Sequence, residues 1–269
     1  FAYGKGRGKV LAVGGELKNV FCLAKDNLFY LSPYIGDMED LRSLDAARDS
    51  IGLMERLLSV CPQIGAADAP PGYHSGKLAQ EFGLPVRPVQ HHHAHILSCM
   101  AENKVSCPVI GVAFDGTGYG EDGSLWGGEI MQVDCHGFTR LGSIAPFTLA
   151  GADKASREGY RPALSLLHST RELSPLAVEQ LGLCTHREFS FYLASLRQNL
   201  GTVVSTSSGR LFDAVSPILG IKKASTFEGE AAMGLQFAAD RSASNKQTQN
   251  QSHHAPASAL AHPGRRRKH

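Results

Sequence analysis

The sequence predicts an α/β fold in two lobes built on mixed sheets, and three observations carry that prediction. Strand-like runs open the chain, helices and strands then alternate, and the opening pattern of strand, glycine turn, strand and strand restarts near residue 109. The chain has 269 residues, 42% of them hydrophobic. That is enough to bury a sizeable core and suits one large domain or two ordinary ones, of which two lobes is the preferred reading.

The elements follow in order. Val10, Leu11 and Val13, then Val20 to Leu23, are strand-like and are separated by the Gly-Gly-Glu-Leu-Lys-Asn stretch 14–19; Leu28 to Ile35 offers a third strand. Leu41, Leu44, Ala47, Ile51, Met54, Leu57 and Leu58 recur at helical intervals, which predicts an amphipathic helix within 40–60 that Pro62 stops. Short strands at 64–67 and 86–89 alternate with helices at 75–82 and 91–103. The continuous apolar run Val109 to Phe114 restarts the pattern, with a glycine turn at 115–120, a strand near 127–133 and a third at 138–143. Helices are expected at 163–167, 175–180, 189–200, 210–219 and 228–240. From Arg241 the composition narrows to Ser, Asn, Gln, His, Ala and Pro, with Leu260 the one large apolar residue, which predicts a disordered tail over 241–269. His253, His254, His262 and His269 are read as solvated. The expected division is an N-terminal lobe over 1–107, a second lobe over 108–240 and the tail.

The formal charge of +2 is misleading, because Arg241, Lys246, Arg265, Arg266, Arg267 and Lys268 all lie in the acid-free last 29 residues. Without those six, 21 basic residues face 25 acidic ones, so the globular part carries no electrostatic footprint for nucleic acid. Small molecules and proteins are the expected partners. Six scattered cysteines in a chain of this length do not form a disulfide framework, which makes the cytoplasm the expected compartment. No apolar run reaches the roughly 18 residues of a membrane span, and no signal-peptide pattern opens the chain. The first residue is Phe1 rather than Met, so a fragment of a longer protein is expected.

Chemistry concentrates in three places. In the helix after Pro88, His91 and His95 share one face, close enough for both imidazoles to hold one metal ion, while His92 and His93 point elsewhere. Asp115, in Asp115-Gly116-Thr117-Gly118-Tyr119-Gly120 at a strand end, supplies an oxygen that would complete a His-His-Asp site. Its glycines let backbone N–H groups approach phosphate oxygens; the bland alternative is an ordinary hairpin turn. Ser205 to Ser208 and Gly209 precede a helix whose N-terminus attracts anions, and Asp213 one turn in could accept ribose hydroxyls. There the bland alternative is an N-capped helix with a first-turn acid.

These motifs carry a resemblance. Gly14-Gly15-Glu16-Leu17-Lys18-Asn19-Val20-Phe21-Cys22-Leu23, Val89-Gln90-His91-His92-His93-Ala94-His95-Ile96, Phe114-Asp115-Gly116-Thr117-Gly118-Tyr119-Gly120, Leu125-Trp126-Gly127-Gly128-Glu129, Gly209-Arg210-Leu211-Phe212-Asp213-Ala214-Val215 and Phe227-Glu228-Gly229-Glu230-Ala231-Ala232-Met233 occur in one order. The chain resembles the C-terminal part of the HypF carbamoyltransferases of NiFe hydrogenase maturation from about Lys9 to Asp240. The resemblance implies a two-lobed, actin-like (ASKHA, RNase H-like) ATP-binding fold. It also implies an iron or zinc ion on His91, His95 and Asp115, with nucleotide contacts from Lys18, Asp115, Gly116, Gly118, Gly209 and Asp213. The implied reaction moves a carbamoyl group from carbamoyl-adenylate to the C-terminal cysteine of HypE, with no catalytic side chain assigned.

The resemblance covers only the family's C-terminal part, so its upstream domains are not expected within these 269 residues. The family's final block, with another metal-binding aspartate, gives way to the tail, so the second lobe is expected to be incomplete. Ala69-Pro70-Pro71 and Leu149-Ala150-Gly151-Ala152-Asp153 stand where the family usually has Leu-His-Pro and Leu-Pro-Gly-Gly-Asp. Two other readings stay open: a non-catalytic truncated fragment, and a related O-carbamoyltransferase or tRNA threonylcarbamoyl-transferase, the acidic globular part arguing against tRNA.

Overall fold

The computed structural model describes residues 8–134 and 136–253, with side chains described for all of these except 152, 153 and 245–253. It is a mixed α/β structure on two sheets. The first has the strand order β3-β2-β1-β4-β5. Its strands β1 (Lys9–Ala12), β2 (Cys22–Lys25) and β3 (Leu28–Leu31) form an antiparallel meander. On its other side β1 runs parallel to β4 (Ile64–Asp68), and β4 runs parallel to β5 (Val86–Val89). Parallel neighbours need crossovers, which α1 (Leu41–Leu58) and α2 (His74–Glu81) supply. The Asp40 side chain caps α1 by accepting from Arg42 N. One turn apart on its apolar face, Ala47 and Ile51 are buried with Leu11, Phe21, Leu23 and Met38, which is why the helical periodicity of 41–58 was readable.

The second sheet repeats the meander with β6 (Val109–Tyr119), β7 (Leu125–Val133) and β8 (Phe138–Ser143). It adds β9 (Phe147–Ala150) and β10 (Thr202–Ser205), giving the order β6-β7-β10-β9 with β8 on β7. The sequence reading missed both added strands, because four residues put only two side chains on each face, too few to establish a period. Between them α4 (Tyr160–Ser169), α5 (Pro175–Leu181) and α6 (His186–Gln198) close a separate core around Leu164 and Tyr192.

α3 (His91–Asn103) follows the first sheet in sequence but packs on the second. Its Ile96 and Met100 join Ala113, Trp126, Met131 and Val133.

Two expectations need correction. The glycine run at 115–120 is not a hairpin turn. β6 continues to Tyr119 through a register shift between Phe114 and Gly118, and the turn comes after it, where Gly120 N donates to Ser124 O. A bulge and a turn both select glycine, so composition cannot separate them. The last helix, α8 (Glu230–His253), passes the expected end at Asp240. Lack of apolar residues excludes a core, but Lys, Gln and Ala have good helix propensity and can extend a helix into solvent. The part of the tail at 254–269 lies outside the described residues.

Cys22, Cys61, Cys99 and Cys184 are free thiols, whereas Cys107 is disulfide-bonded. No helix among the described residues is long and apolar enough to cross a membrane.

Candidate metal and nucleotide site

The Gln90 side chain caps α3 by accepting from His93 N, so the helix begins inside the histidine run. Spacing of four then puts His91 and His95 on one face, with Nε2 atoms 3.0 Å apart and ring centroids 4.6 Å apart. The bulge in β6 brings Asp115 Oδ2 to 3.0 Å from His91 Nε2 and 3.6 Å from His95 Nε2. One ligand atom from each of these residues lies within 4.8 Å of the others. Asp115 Oδ2 is buried and makes no hydrogen bond of acceptable geometry. Two imidazole nitrogens converging with an unsatisfied carboxylate oxygen form a donor set suited to zinc or iron(II). The residues therefore fit the expected ion.

Asp68, which the sequence reading did not select, belongs to the same cluster. It ends β4, and its Oδ2 lies 2.8 Å from His91 Nδ1. A carboxylate behind a histidine fixes the tautomer so that the lone pair of the other nitrogen faces the metal. No motif marks Asp68. The signal is spatial, since the C-terminal ends of β4 and β5 are neighbours in a parallel pair, and α3 starts immediately after β5.

The electrostatics follow from this geometry. His91 is pushed up to about 9, chiefly by the Asp115 carboxylate 3.0 Å from its Nε2 and then by Asp68, against the cost of burial. Burial alone would raise the Asp115 carboxyl, but the imidazoles of His91 and His95 and the Gly116 N–H outweigh it and hold the group below the usual carboxylate range. Burial drives His92 down to about 4.

His92 and His93 both leave the face that His91 and His95 share, but they go to different places. His93 does point away, with its ring 5.1 Å from Phe138, but His92 is wholly buried and its Nε2 lies 3.7 Å from Asp115 Oδ2. Residues 92, 96 and 100 form the stripe that α3 lays on the second sheet, and His92, Ile96 and Met100 are all buried. The helix therefore has two inward faces, one toward the cluster and one toward the core.

The motif glycines are shaped by packing. A Cβ on Gly118 would stand 2.2 Å from His92 Cε1, and one on Gly209 would stand 2.7 Å from Gly116 Cα. Gly209 thus lets α7 (Ser208–Ile218) abut the Asp115 bulge, where Ser207 Oγ donates to Gly116 O and Ser208 Oγ donates to Gly127 O. Further along α7, Asp213 is buried with Oδ2 lacking a hydrogen bond, although Arg210 lies 3.2 Å away. Burial pushes its carboxyl up. Glu129, wholly buried below the bulge, accepts from Gly127 N, Gly128 N, Thr206 Oγ1 and Arg140 Nε. Lys18 has a left-handed backbone (φ 52°) and pairs with Glu228 at 2.6 Å, both side chains being exposed. Its neighbour Glu16 caps α2, accepting from His74 N and Ser75 N. A mostly apolar groove of about 710 Å³ runs from His95 and Asp115 between α3 and β6.

Two mixed sheets with a histidine–aspartate cluster where they meet fall within a chain that matches Kae1-like domains. Two family models match accordingly: "HypF Kae1-like domain" over residues 5–102, and "Carbamoyltransferase, Kae1-like Domain, second subdomain" over 111–262. The chain belongs to the HypF carbamoyltransferase family. It is 35% identical over 227 residues to carbamoyltransferase HypF of Rhizobium leguminosarum bv. viciae, a match covering 84% of this chain and 30% of that protein. A HypF homolog of Cupriavidus necator is 36% identical, with 88% and 61% covered. Full-length HypF in a phosphate- and nucleotide-bound crystal structure superposes with a TM-score of 0.82 at 38% identity, with 87% of this chain and 31% of that one covered. The chain thus spans about a third of the length of most curated relatives it matches.

Proposed function

We propose that this chain is the carbamoyl-transfer module of a cytoplasmic HypF-type enzyme in hydrogenase maturation. The C-terminal cysteine thiolate of HypE attacks the carbamoyl carbon of carbamoyl-adenylate, breaking its bond to the phosphate oxygen, so that a thiocarbamate forms and AMP leaves. The observation that carries the reading is the convergence of His91 Nε2, His95 Nε2 and Asp115 Oδ2 beside the N-terminus of α7.

In this reading His91, His95 and Asp115 hold one iron or zinc ion. When bound, the ion supplies a Lewis acid that polarises the carbamoyl oxygen or grips the adenylate phosphate. Asp68 keeps the Nδ1 proton of His91 engaged and so leaves Nε2 for the ion. The N-terminus of α7, held against the bulge by Ser207 and Ser208, offers its positive end to the phosphate. Asp213 Oδ2, buried without a hydrogen bond, is the acceptor a ribose hydroxyl would satisfy. Lys18, exposed and paired with Glu228, would add a cation to the nucleotide pocket on exchanging Glu228 for a phosphate.

Elemental analysis of the purified chain, followed by transfer of labelled carbamoyl from carbamoyl-adenylate to HypE, tests the reading. One iron or zinc per chain, lost in both His91→Ala and His95→Ala, with transfer that follows metal content, is the expected result. A folded, metal-loaded chain that binds nucleotide analogues but labels no thiol overturns the transfer step. A folded chain that takes up neither metal nor nucleotide overturns the site.

A further inference from the structure

Gln90, His92 and Asp115 form a chain of fixed proton positions behind the cluster. Gln90 is buried, and its amide orientation is set by two backbone groups: Oε1 accepts from His93 N at 2.9 Å, and Nε2 donates to Tyr119 O at 3.2 Å. The same Nε2 stands 3.2 Å from His92 Nδ1. An amide nitrogen is only a donor, so Nδ1 of His92 is the acceptor and the ring proton sits on Nε2. That Nε2 is fully buried, lacks a hydrogen-bond partner, and lies 3.7 Å from Asp115 Oδ2, which also lacks one. The space for the ring exists because Gly118 has no Cβ, which would stand 2.2 Å from His92 Cε1.

From these contacts we infer that His92 is a positioning residue for Asp115. At 3.7 Å the contact is a charge–dipole attraction rather than a hydrogen bond: the Nε2–H, fixed in place by Gln90, favours the Asp115 carboxylate with Oδ2 on the side of His91 and His95. His92 is thus neither a metal ligand nor an inert core histidine. Asp68 does the equivalent for His91, so two of the three ligand side chains are steadied from behind by polar partners from different elements. Gly116 N already donates to Asp115 Oδ1 at 2.6 Å, so His92 acts on the other oxygen, Oδ2, whose position the incoming ion would otherwise have to fix at a cost in affinity. Removal of a partner behind a metal ligand typically weakens binding by about 10–100-fold.

The inference rests on the metal reading above, and the test separates the two. Zinc affinity is measured by competition with a chromophoric chelator for wild type, His92→Phe, His92→Gln and Gln90→Glu, beside the d–d absorption of the cobalt-substituted proteins. Long-range ¹H–¹⁵N spectra report the His92 tautomer with and without zinc.

His92 in the Nε2–H form, with affinity falling about 10–100-fold in His92→Phe and recovering in His92→Gln, whose amide N–H replaces the lost donor, is the expected outcome. Gln90→Glu keeps the helix cap but removes the amide donor, and is expected to move the ring proton to Nδ1 and weaken binding while His92 remains in place. That variant serves if His92→Phe does not fold. An Nδ1–H tautomer in wild type, or wild-type affinity and cobalt spectrum in folded His92→Phe, overturns the inference and leaves the metal site standing. A wild type that binds no zinc while His92 shows the Nε2–H form overturns the metal reading, and the assigned role with it.

Discussion

Asp68 Oδ2 stands 2.8 Å from His91 Nδ1, although 23 residues separate them. One residue closes a strand of the first sheet and the other opens the helix that packs on the second. The contact ties the histidine to the first sheet on one nitrogen and leaves the other to face Asp115.

Asp68→Asn keeps the shape but removes the negative charge behind His91. Zinc affinity of the folded variant should fall about 10–100-fold. Chelator competition checks it, with His95→Ala as the reference for complete loss of a ligand. Unchanged affinity would remove Asp68 from the site.

The pH dependence of the metal-free protein follows from His91, whose folded value of about 9 lies above the usual 6.5. A raised imidazole contributes stability that is fully present below the unfolded value and is lost as pH rises through the folded one. The thermal stability of the metal-free chain should therefore fall between about pH 6.5 and 9, and His91→Gln should flatten that slope. Metal uptake has the opposite trend, because His91 must give up a proton to bind. Calorimetric titration at pH 7 in buffers of different ionisation enthalpy should show about one proton released per ion.

Gly118→Ala pushes a methyl group into the His92 ring, 2.2 Å from Cε1 before relaxation. Neither the strand backbone nor a buried ring moves freely, so the expected loss is about 1–3 kcal/mol, read by denaturant unfolding. Gly142→Ala, where the new Cβ meets nothing within 4 Å, is the control.

Glu129→Gln retains the size of the side chain but cannot accept all four donors, and it leaves Arg140 without its buried partner. Arg140 is 26% exposed and keeps Asp122 at 3.1 Å, so the cost is that of leaving a buried donor without its acceptor, about 1–3 kcal/mol. The midpoint of urea unfolding should fall accordingly, with Asp115 released from its bulge as a consequence.

Lys18→Met should leave stability nearly unchanged, because both partners of the Lys18–Glu228 pair are exposed and such pairs contribute about 0–1 kcal/mol. Its effect should appear in the binding of ATP analogues, followed by fluorescence titration. Equal affinity in wild type and variant would remove Lys18 from the nucleotide site.

Much of this protein was written in local patterns. The period of 41–58, the alternation of short strands with helices, and the repeated opening meander specified a mixed α/β fold, since each depends only on which residues are apolar and how far apart they stand. His91 and His95 were legible as a pair because helical spacing alone stacks them, and the ordered motifs carried the family. The tertiary structure decided the rest. Asp68 and His92 joined the cluster through contacts between β4, α3 and β6, which no spacing encodes. The glycine run lies in a bulged strand rather than a turn, with the His92 ring filling the space beside Gly118 and α7 abutting Gly116 through Gly209. Short-range periodicity determines what each segment becomes. Which faces are buried against which, and therefore which polar atoms meet, depends on the packing of segments distant in the chain.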